Sequence, residues 1–413
     1  MLEFNRFTLA NGLKVLHHYD PTTPMVVVNT LFDVGAKDEH PNRTGFAHLF
    51  EHLMFGGSVN IASFDEELQK AGGQNNAFTS NDITNYYDIL PAINLETALW
   101  LESDRMLSLA FTEKSLEVQR NVVVEEFKQR YLNQPYGDVW LELRPLAYTK
   151  HPYQWATIGK EVAHIETATM EEVKSFFFKH YTPQNAILCI AGNVDLDRTK
   201  ILVEKYYEDI PAGNKYQRQL VEEPTQNEFR SKELARKVPA NAFYFAFKMP
   251  SRNKEGYAEA DLISDILGRG KSSRLVKRLK LELGIVTEVS SYILGAHDTG
   301  LLMISGQLSE TGSFEKLELE IWQLIDELVK SEISASELLK IKNKWKTTKV
   351  FSEQGILSKA LALSTAELLG KAEDVNSDLK IYDAISQASI QKWSNAILQK
   401  TNCSLLKIKA ISE

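Results

Sequence analysis

The chain has 413 residues, of which 43% are apolar and 25% are charged. These proportions exclude collagen-like, intrinsically disordered and disulfide-framed proteins, and the length predicts two or more domains. The formal net charge of -8 argues against a nucleic acid as the main partner. The sequence also has no apolar stretch that approaches the length of a membrane span.

The N-terminal stretch, MLEFNRFTLANGLKVLHHYD, predicts two strands joined by an Asn-Gly turn. It lacks the basic start and the apolar segment of a signal peptide. We therefore expect a cytoplasmic protein, or a periplasmic one if a signal peptide has been removed.

The first half of the chain combines strands with helices. Hydrophobic periodicity predicts strands at 25–35, 76–91 and 185–195, and helices near 44–56, 62–71, 94–108, 113–133 and 169–180. A polar segment containing Pro211, Gly213 and Pro224 follows, and it is the best linker candidate. The predicted organisation is an N-terminal domain at 1–212, a linker at 213–228 and a C-terminal domain at 229–413.

The second half repeats the order of the first. NRTGFAHLFEHLMFGG is loosely echoed by RNKEGYAEADLISDILGRG, and NAILCIAGNVD by NCSLLKIKAISE, at offsets of about 210 to 217 residues. This agreement predicts two homologous domains of an α+β class, each a mostly antiparallel sheet covered by helices. A doubly wound parallel sheet is less favoured, because regular strand-helix-strand alternation and a Gly-rich phosphate loop are both lacking.

The stretch TGFAHLFEHLMFGG places polar groups in a run that otherwise predicts a buried helix. His48 and His52 are separated by one helical turn, so both imidazoles can point at one Zn²⁺. Glu51 lies beside them and could act as a general base without binding the metal. In the second half, Glu259, Leu262 and Asp265 stand roughly where such histidines would be needed, so a metal site is expected only in the first half.

A tetrahedral catalytic site needs a third protein ligand. The helix TEKSLEVQRNVVVEEFKQRYLNQPYG offers Glu125 and Glu126. Helical phase places Glu126 on the apolar side, beside Val122 and Val123, and Glu125 on the solvent side, which makes Glu126 the better ligand. The alternative is that Glu126 is a structural acid paired with Arg130 one turn later.

These motifs, His48-Leu-Phe-Glu51-His52 followed by RNVVVEEFKQR and NQPYG, resemble the pitrilysin family of zinc metallopeptidases, whose order of residues is H-x-x-E-H. The resemblance implies one zinc ion per chain held by His48, His52 and Glu126, with Glu51 as the catalytic base. It also implies repeated domains, each an antiparallel sheet with helices, that close around a cavity admitting unfolded peptides.

Two departures from the family pattern concern residues that assist the site. Many members carry a glutamate two turns before the distal ligand, where this chain has Gln119. An amide can still orient its neighbours, but it adds no negative charge. Members that work alone also carry an arginine and a tyrosine in the second domain, where this chain has Lys280 and Thr287. A small alignment shift would let Arg274, Arg278 or Tyr292 replace them.

The segment GGQNNAFTSNDITNYY is polar and strand-like. Such an edge can pair with an extended peptide through backbone hydrogen bonds. The matching strand binds substrate in the family, which implies substrate contacts for Asn76, Ala77 and Phe78, with Asn76 nearest to the reacting carbonyl. The alternative is an ordinary half-exposed strand.

The predicted function is therefore a zinc endopeptidase acting on peptides or unfolded polypeptides. Because Lys280 and Thr287 replace the usual pair, we expect the zinc-bearing subunit of a two-chain enzyme, a homodimer or a heterodimer whose homologous subunit supplies the arginine and tyrosine. The alternative is a non-catalytic peptide-binding or scaffold subunit of a processing-peptidase-like complex.

Overall fold

A computed structural model of the protein describes residues 1–411, and it divides into two compact units. Unit 1 comprises Met1–Lys128, Trp155–Leu220 and Val350–Ser377. Unit 2 comprises Gln129–Gln154, Val221–Lys349 and the chain from Asp378 onward. The domain boundaries at 212 and 229 stay a prediction. The passage from one unit to the other at Leu220 does fall within the predicted linker.

The strands of both units are numbered in chain order. They are β1 (Asn5–Thr8), β2 (Lys14–Tyr19), β3 (Met25–Phe32), β4 (Gln74–Thr79), β5 (Thr84–Pro91), β6 (Ala186–Gly192), β7 (Arg230–Arg236), β8 (Ala242–Met249), β9 (Val286–Leu294), β10 (Gly300–Leu308) and β11 (Cys403–Ala410).

The α-helices are numbered in the same way. They are α1 (Phe46–Leu53), α2 (Phe64–Lys70), α3 (Leu95–Leu107), α4 (Glu113–Phe127), α5 (Val139–Ala147), α6 (Ala163–Glu166), α7 (Met170–His180), α8 (Leu196–Tyr207), α9 (Tyr257–Gly268), α10 (Phe314–Lys330), α11 (Ala335–Ser352), α12 (Ile356–Leu369), α13 (Asp378–Ala384) and α14 (Gln387–Ile397).

Unit 1 contains a six-stranded sheet in the order β1-β2-β6-β3-β5-β4. Only β2 and β6 run parallel, and the other neighbours are antiparallel. β3 reads MVVVNTLF, and its successive side chains point to opposite faces. Val27 packs in the cluster that α12 forms with the sheet, whereas the Thr30 hydroxyl donates to Glu102 of α3. Helices thus contact both faces, and β4 forms one edge.

Unit 2 contains a five-stranded sheet in the order β7-β11-β8-β10-β9. Only β7 and β11 run parallel. The alternating phenylalanines of β8 at 243, 245 and 247 pack with α9, α10 and α14 on one face. The small residues Ala242 and Ala246 pack with α5 on the other face. The mostly antiparallel α+β class predicted from the sequence is confirmed in both units.

The two sheets repeat one arrangement, with a parallel pair, then two inner strands, then an antiparallel edge strand. The helix after the first inner strand starts in the same way in each unit, because its N-cap glycine is left-handed, at φ 91° for Gly45 and 93° for Gly256. Counting from these glycines puts Glu259, Leu262 and Ile263 at the positions of the motif residues of α1, so Ile263, and not Asp265 as expected from the sequence, corresponds to His52. Of the echoed segment NCSLLKIKAISE, residues 412 and 413 lie outside the described part of the chain.

Two predicted elements differ from the structure. The segment 76–91, expected to be one strand, belongs to a hairpin of β4 and β5, because Ser80 makes a turn in which its hydroxyl accepts from Asp82 and Ile83 N–H. The helix expected at 113–133 is α-helical to Phe127 and continues as a π-helical segment, Lys128–Leu132. The hairpin leaves β4 as a separate edge strand.

Candidate metal centre

The helix α1 separates its residues into two faces. Phe46, Leu49, Phe50 and Leu53 are buried, and the period of the helix places His48, Glu51 and His52 on the remaining face. The side chains of His48 and His52 are 12% and 24% exposed. The imidazoles of His48 and His52 and the carboxylate of Glu51 therefore lie together in a partly buried environment.

Glu126 of α4 closes this group. Its Oε2 lies 3.7 Å from His48 Nε2 and 3.3 Å from His52 Nε2. One ligand atom from each of the three residues lies within 4.8 Å of the others. Tetrahedral zinc with bonds of about 2.0–2.2 Å separates its ligand atoms by about 3.3–3.5 Å. The donor set and its spacing therefore fit a zinc ion.

The neighbouring acid, Glu125, points elsewhere. Its Oε1 accepts from Lys128 Nζ over 2.9 Å, and both side chains are exposed. The structure thus has the two glutamates on the sides of α4 that the helical phase predicts from the sequence. Of the two, Glu126 is the one that approaches the histidines.

Glu51 is oriented by a residue that the sequence did not single out. Thr79 Oγ1, at the end of the edge strand β4, donates to Glu51 Oε2 over 2.6 Å. Burial raises the pKa of Glu51, while the Thr79 hydrogen bond and the nearby His52 oppose this shift. Recognising the turn at 80–83 would have shown that a strand ends at Thr79, but its contact with α1 depends on the tertiary structure.

The predicted substrate residues lie on β4. Asn76 and Phe78 are exposed and Ala77 is half-buried, and within the described sheet β4 pairs only with β5. The Asn76 side-chain oxygen accepts from Ala77 N–H over 2.8 Å. One side of this strand is thus open to pairing, as the sequence indicated. Gln119 lies two turns before Glu126 on α4 and is half-buried. The roles assigned to these four residues stay predictions.

Family members carry an arginine and a tyrosine in the second domain, and the residues of this chain that could correspond to them lie in unit 2. Lys280 is exposed in the π-helical segment Val276–Glu282, and Thr287 is exposed on β9. Arg274 is paired with Glu337 at 2.8 Å, and Arg278 is paired with Glu320 at 2.8 Å. The ring of Tyr292 packs against the apolar cluster on the α5 side of the sheet. Both arginines are thus held by acids of their own unit.

Family comparisons divide the chain into two segments. Residues 14–160 match the family model described as insulinase, peptidase family M16, and residues 167–344 match the model described as peptidase M16 inactive domain. The first match contains the candidate metal centre, and the second contains Lys280 and Thr287. None of the helices in the described range 1–411 is both long and apolar enough to cross a membrane.

Among curated proteins, the chain is 30% identical over 341 residues to the zinc protease PqqE of Helicobacter pylori, a match that covers 81% of this chain and 77% of the relative. It is 26% identical to the uncharacterized zinc protease YmxG of Bacillus subtilis, over 92% of each.

Among solved structures, the chain is similar to a protease from Helicobacter pylori, with a TM-score of 0.93 and 26% identity over 99% of this chain and 100% of that one. It is also similar in fold to pitrilysin, with a TM-score of 0.78 and 18% identity over 99% of this chain and 45% of the other.

Proposed function

Because the chain belongs to the insulinase family of peptidases, M16, we propose that it is a zinc-dependent endopeptidase that hydrolyses peptides or unfolded polypeptides. The observation that carries this proposal is the convergence of His48, His52 and Glu126 within 4.8 Å. Glu51 lies on α1 with the two histidines, but its carboxylate accepts a hydrogen bond from Thr79. Three ligands plus one uncoordinated acid is the residue set that metal-assisted hydrolysis needs.

Each residue has a distinct part in this chemistry. His48, His52 and Glu126 hold one zinc ion per chain, which when bound lowers the pKa of a water molecule and polarises the peptide carbonyl. Glu51 removes the proton from the attacking water and later delivers it to the leaving amine nitrogen. The raised pKa of Glu51 favours this exchange, because a base whose pKa is nearer to neutrality also serves as an acid.

The edge strand β4 supplies the peptide-binding surface in this proposal. An extended substrate adds to the open side of β4 by backbone hydrogen bonds, beside Asn76, Ala77 and Phe78. Thr79 links this strand to Glu51, which brings a bound backbone close to the base. Exchanging Asn76 for Ala should lower turnover and leave the zinc content unchanged. Loss of zinc in this variant would contradict its assignment to substrate.

The residues of unit 2 at the positions of the arginine-tyrosine pair support a two-chain enzyme. Lysine lacks the planar fork of arginine, and threonine cannot extend as far as a phenol. Arg274 and Arg278 are paired with Glu337 and Glu320, and withdrawing either one would leave an acid uncompensated. In a heterodimer, a homologous subunit that brings an arginine and a tyrosine would complete the site, whereas a second copy of this chain would bring only another Lys280 and Thr287. Efficient cleavage by the purified chain alone would refute the need for such a subunit.

The second candidate function is a non-catalytic peptide-binding or scaffold subunit. Lys280 and Thr287 favour it, since both replace groups that would stabilise the reacting carbonyl. The metal cluster argues against it, because binding a peptide to β4 requires neither histidines nor Glu126.

One experiment separates the two candidates. Zinc content and cleavage of unfolded polypeptides are measured for the wild type and for Glu51→Gln, each with and without a homologous subunit. The endopeptidase proposal expects one zinc per chain in both proteins and a loss of cleavage of at least about 1,000-fold in the variant. Absence of zinc from the wild type, or equal activity in the two proteins, would reject it.

A further inference from the structure

Glu39 is a buried carboxylate outside the metal cluster. It precedes α1 in the chain and is 6% exposed. Its Oε2 accepts from Gly45 N–H over 2.8 Å, and its Oε1 accepts from Ala47 N–H over 2.9 Å. Both oxygens are therefore committed to the start of the helix that carries His48, Glu51 and His52.

The helix α1 has no cap of its own. Its N-cap residue is Gly45, which has no side chain and makes no side-chain capping bond. The first N–H groups of any helix lack partners within the helix, and an oxygen of the N-cap side chain usually satisfies one of them. Glu39 supplies this acceptor from outside the helix.

The residues before Glu39 are themselves held in place. Asp38 accepts from Gly35 N–H over 3.0 Å and from Arg218 Nε over 2.6 Å. Trp155 Nε1 donates to Ala36 O over 2.8 Å. Glu39 is thus attached to a turn that is tied at several points. These contacts restrict movement of the turn, so the position of Glu39 does not depend on α1 alone.

The position of Glu39 matters because α1 has only eight residues. Helices of this length are not stable alone and depend on their contacts. His48 follows directly after Ala47, one of the two residues bonded to Glu39. A rotation or shift of the first turn would therefore move an imidazole, and metal sites tolerate bond lengths only within about 0.2 Å of their preferred values.

We propose that Glu39 is a positioning residue that, through its bonds to Gly45 and Ala47, sets the axial position and rotation of α1 and so preorganises His48 and His52 for zinc. This inference rests on the proposed function, because it assumes that these imidazoles bind metal. The two carboxyl oxygens of Glu39 accept from the backbone N–H groups of Gly45 and Ala47. Its effect therefore passes through the backbone of α1.

The test compares Glu39→Gln with a matched control, Glu223→Gln. Glu223 is also a buried carboxylate that accepts backbone N–H groups, from Thr149, Lys150 and His151, but it lies in unit 2. Three quantities are measured on the full chain: zinc affinity by competition with a chromophoric chelator, the visible absorption spectrum of the Co²⁺-substituted protein, and the melting temperature without metal.

Glutamine has one acceptor oxygen, so it cannot serve both N–H groups. We expect Glu39→Gln to weaken zinc binding by about 10- to 100-fold and to change the Co²⁺ spectrum, which reports the coordination geometry. Glu223→Gln should lower the melting temperature and leave both metal readouts unchanged. Should Glu39→Gln fail to fold, Glu39→Asp, which keeps the carboxylate but shortens its reach, is measured in the same way with the same expectation.

Two outcomes overturn the inference in distinguishable ways. If the wild type binds zinc and a folded Glu39 variant melts earlier with unchanged zinc affinity and Co²⁺ spectrum, Glu39 is only a stabilising cap and the peptidase proposal stands. If the wild type itself binds no zinc, the proposed function fails and the inference fails with it.

Discussion

Two carboxylates, those of Glu51 and Glu126, lie near the same pair of imidazoles, and they differ in their hydrogen bonding. The Oε2 of Glu126 approaches both rings. Glu51 has one oxygen occupied by the Thr79 hydroxyl. The charge of Glu126 also adds to the burial that raises the pKa of Glu51. At the residue scale, the hydrogen bond from Thr79 distinguishes Glu51, the proposed base, from Glu126, the proposed third ligand.

Removing the Thr79 hydroxyl should therefore affect the chemical step. In Thr79→Val, which keeps the size of the side chain, we expect kcat to fall by about 10- to 100-fold, because Glu51 loses the bond that orients it. KM should change little, since the backbone of β4 is unaltered. Steady-state kinetics check this, and Thr79→Ser serves as the control that restores the hydroxyl. A fall in kcat of equal size in the serine variant would contradict the role.

At the scale of elements, the site depends on where α1 begins. Gly45 adopts φ 91°, a left-handed conformation that glycine enters without steric cost. A Cβ at this position would lie 2.7 Å from Ile158 O and 2.8 Å from Ile165 Cδ1. The chain must therefore turn at Gly45 to deliver its next residues to α1, and no larger residue fits.

Replacing Gly45 with Ala should destabilise the protein more than the same change at Gly284. Both glycines have positive φ, so each substitution incurs left-handed strain of about 1–2 kcal/mol. A Cβ added at Gly284 would meet no heavy atom within 4 Å, and only Gly45→Ala adds a clash. We expect it to lower the free energy of unfolding by about 3 kcal/mol in total, measured by urea denaturation. Equal losses in the two variants would show that crowding at Gly45 is unimportant.

At the scale of the whole molecule, unit 1 is assembled from segments that are distant in the chain. The helix α12 belongs to Val350–Ser377. Its residues Ala360 and Leu363 are fully buried in one cluster with Leu16, Val27 and Cys189 of the sheet. Lys359 also pairs with Asp20 at 2.6 Å. The unit that contains the candidate metal centre therefore depends on residues from the last quarter of the sequence.

A chain that ends at Leu220 should not fold as an independent domain. It lacks α12, so the apolar face of the sheet around Leu16 and Val27 would be exposed to water. We expect circular dichroism and thermal melting to show no cooperative unfolding of this fragment. Adding a peptide that spans 350–377 serves as the control and should restore part of the transition. A cooperative transition near that of the full chain would contradict this dependence.

The segment that joins the two units is tied at both ends, each within its own unit. Arg218 pairs with Asp33 and Asp38 in unit 1. Glu223 accepts from the backbone N–H groups of residues 149–151 and pairs with Lys248 in unit 2. The linker predicted from its composition is therefore anchored by specific charges, although it contains neither helix nor strand.

The anchoring of Glu223 predicts a dependence of stability on pH. Burial alone would raise the pKa of Glu223, but bonds from the backbone and from Lys248 lower it to about 2. The unfolded value is about 4.3, so this carboxylate stabilises the folded state above that pH, and its contribution disappears as the pH falls from about 4.3 to about 2. The full shift would correspond to roughly 3 kcal/mol, and because solvent screens part of the interaction, we expect Glu223→Gln to remove about 2 kcal/mol of acid-dependent stability, measured by urea denaturation across this range. The exposed neighbour Glu222 provides the control, and an equal effect of Glu222→Gln would contradict the assignment.

Local periodicity was enough to predict much of this protein from its sequence. The spacing of His48, Glu51 and His52 places them on one face of a helix because the helical repeat is a local property of the backbone. The same reasoning selected Glu126 over Glu125, and strand patterns with an internal repeat predicted the α+β class. These features depend on residues that are neighbours in the chain.

Other features required the tertiary structure because they depend on contacts between distant segments. The sequence could not show that Thr79 would donate to Glu51, or that Glu39 would cap α1, since each contact depends on how a strand or turn packs against the helix. It also could not show that α12 would complete the first unit, because nothing local records which sheet a helix will cover. Packing between distant segments decided which polar groups meet and which segments form each unit.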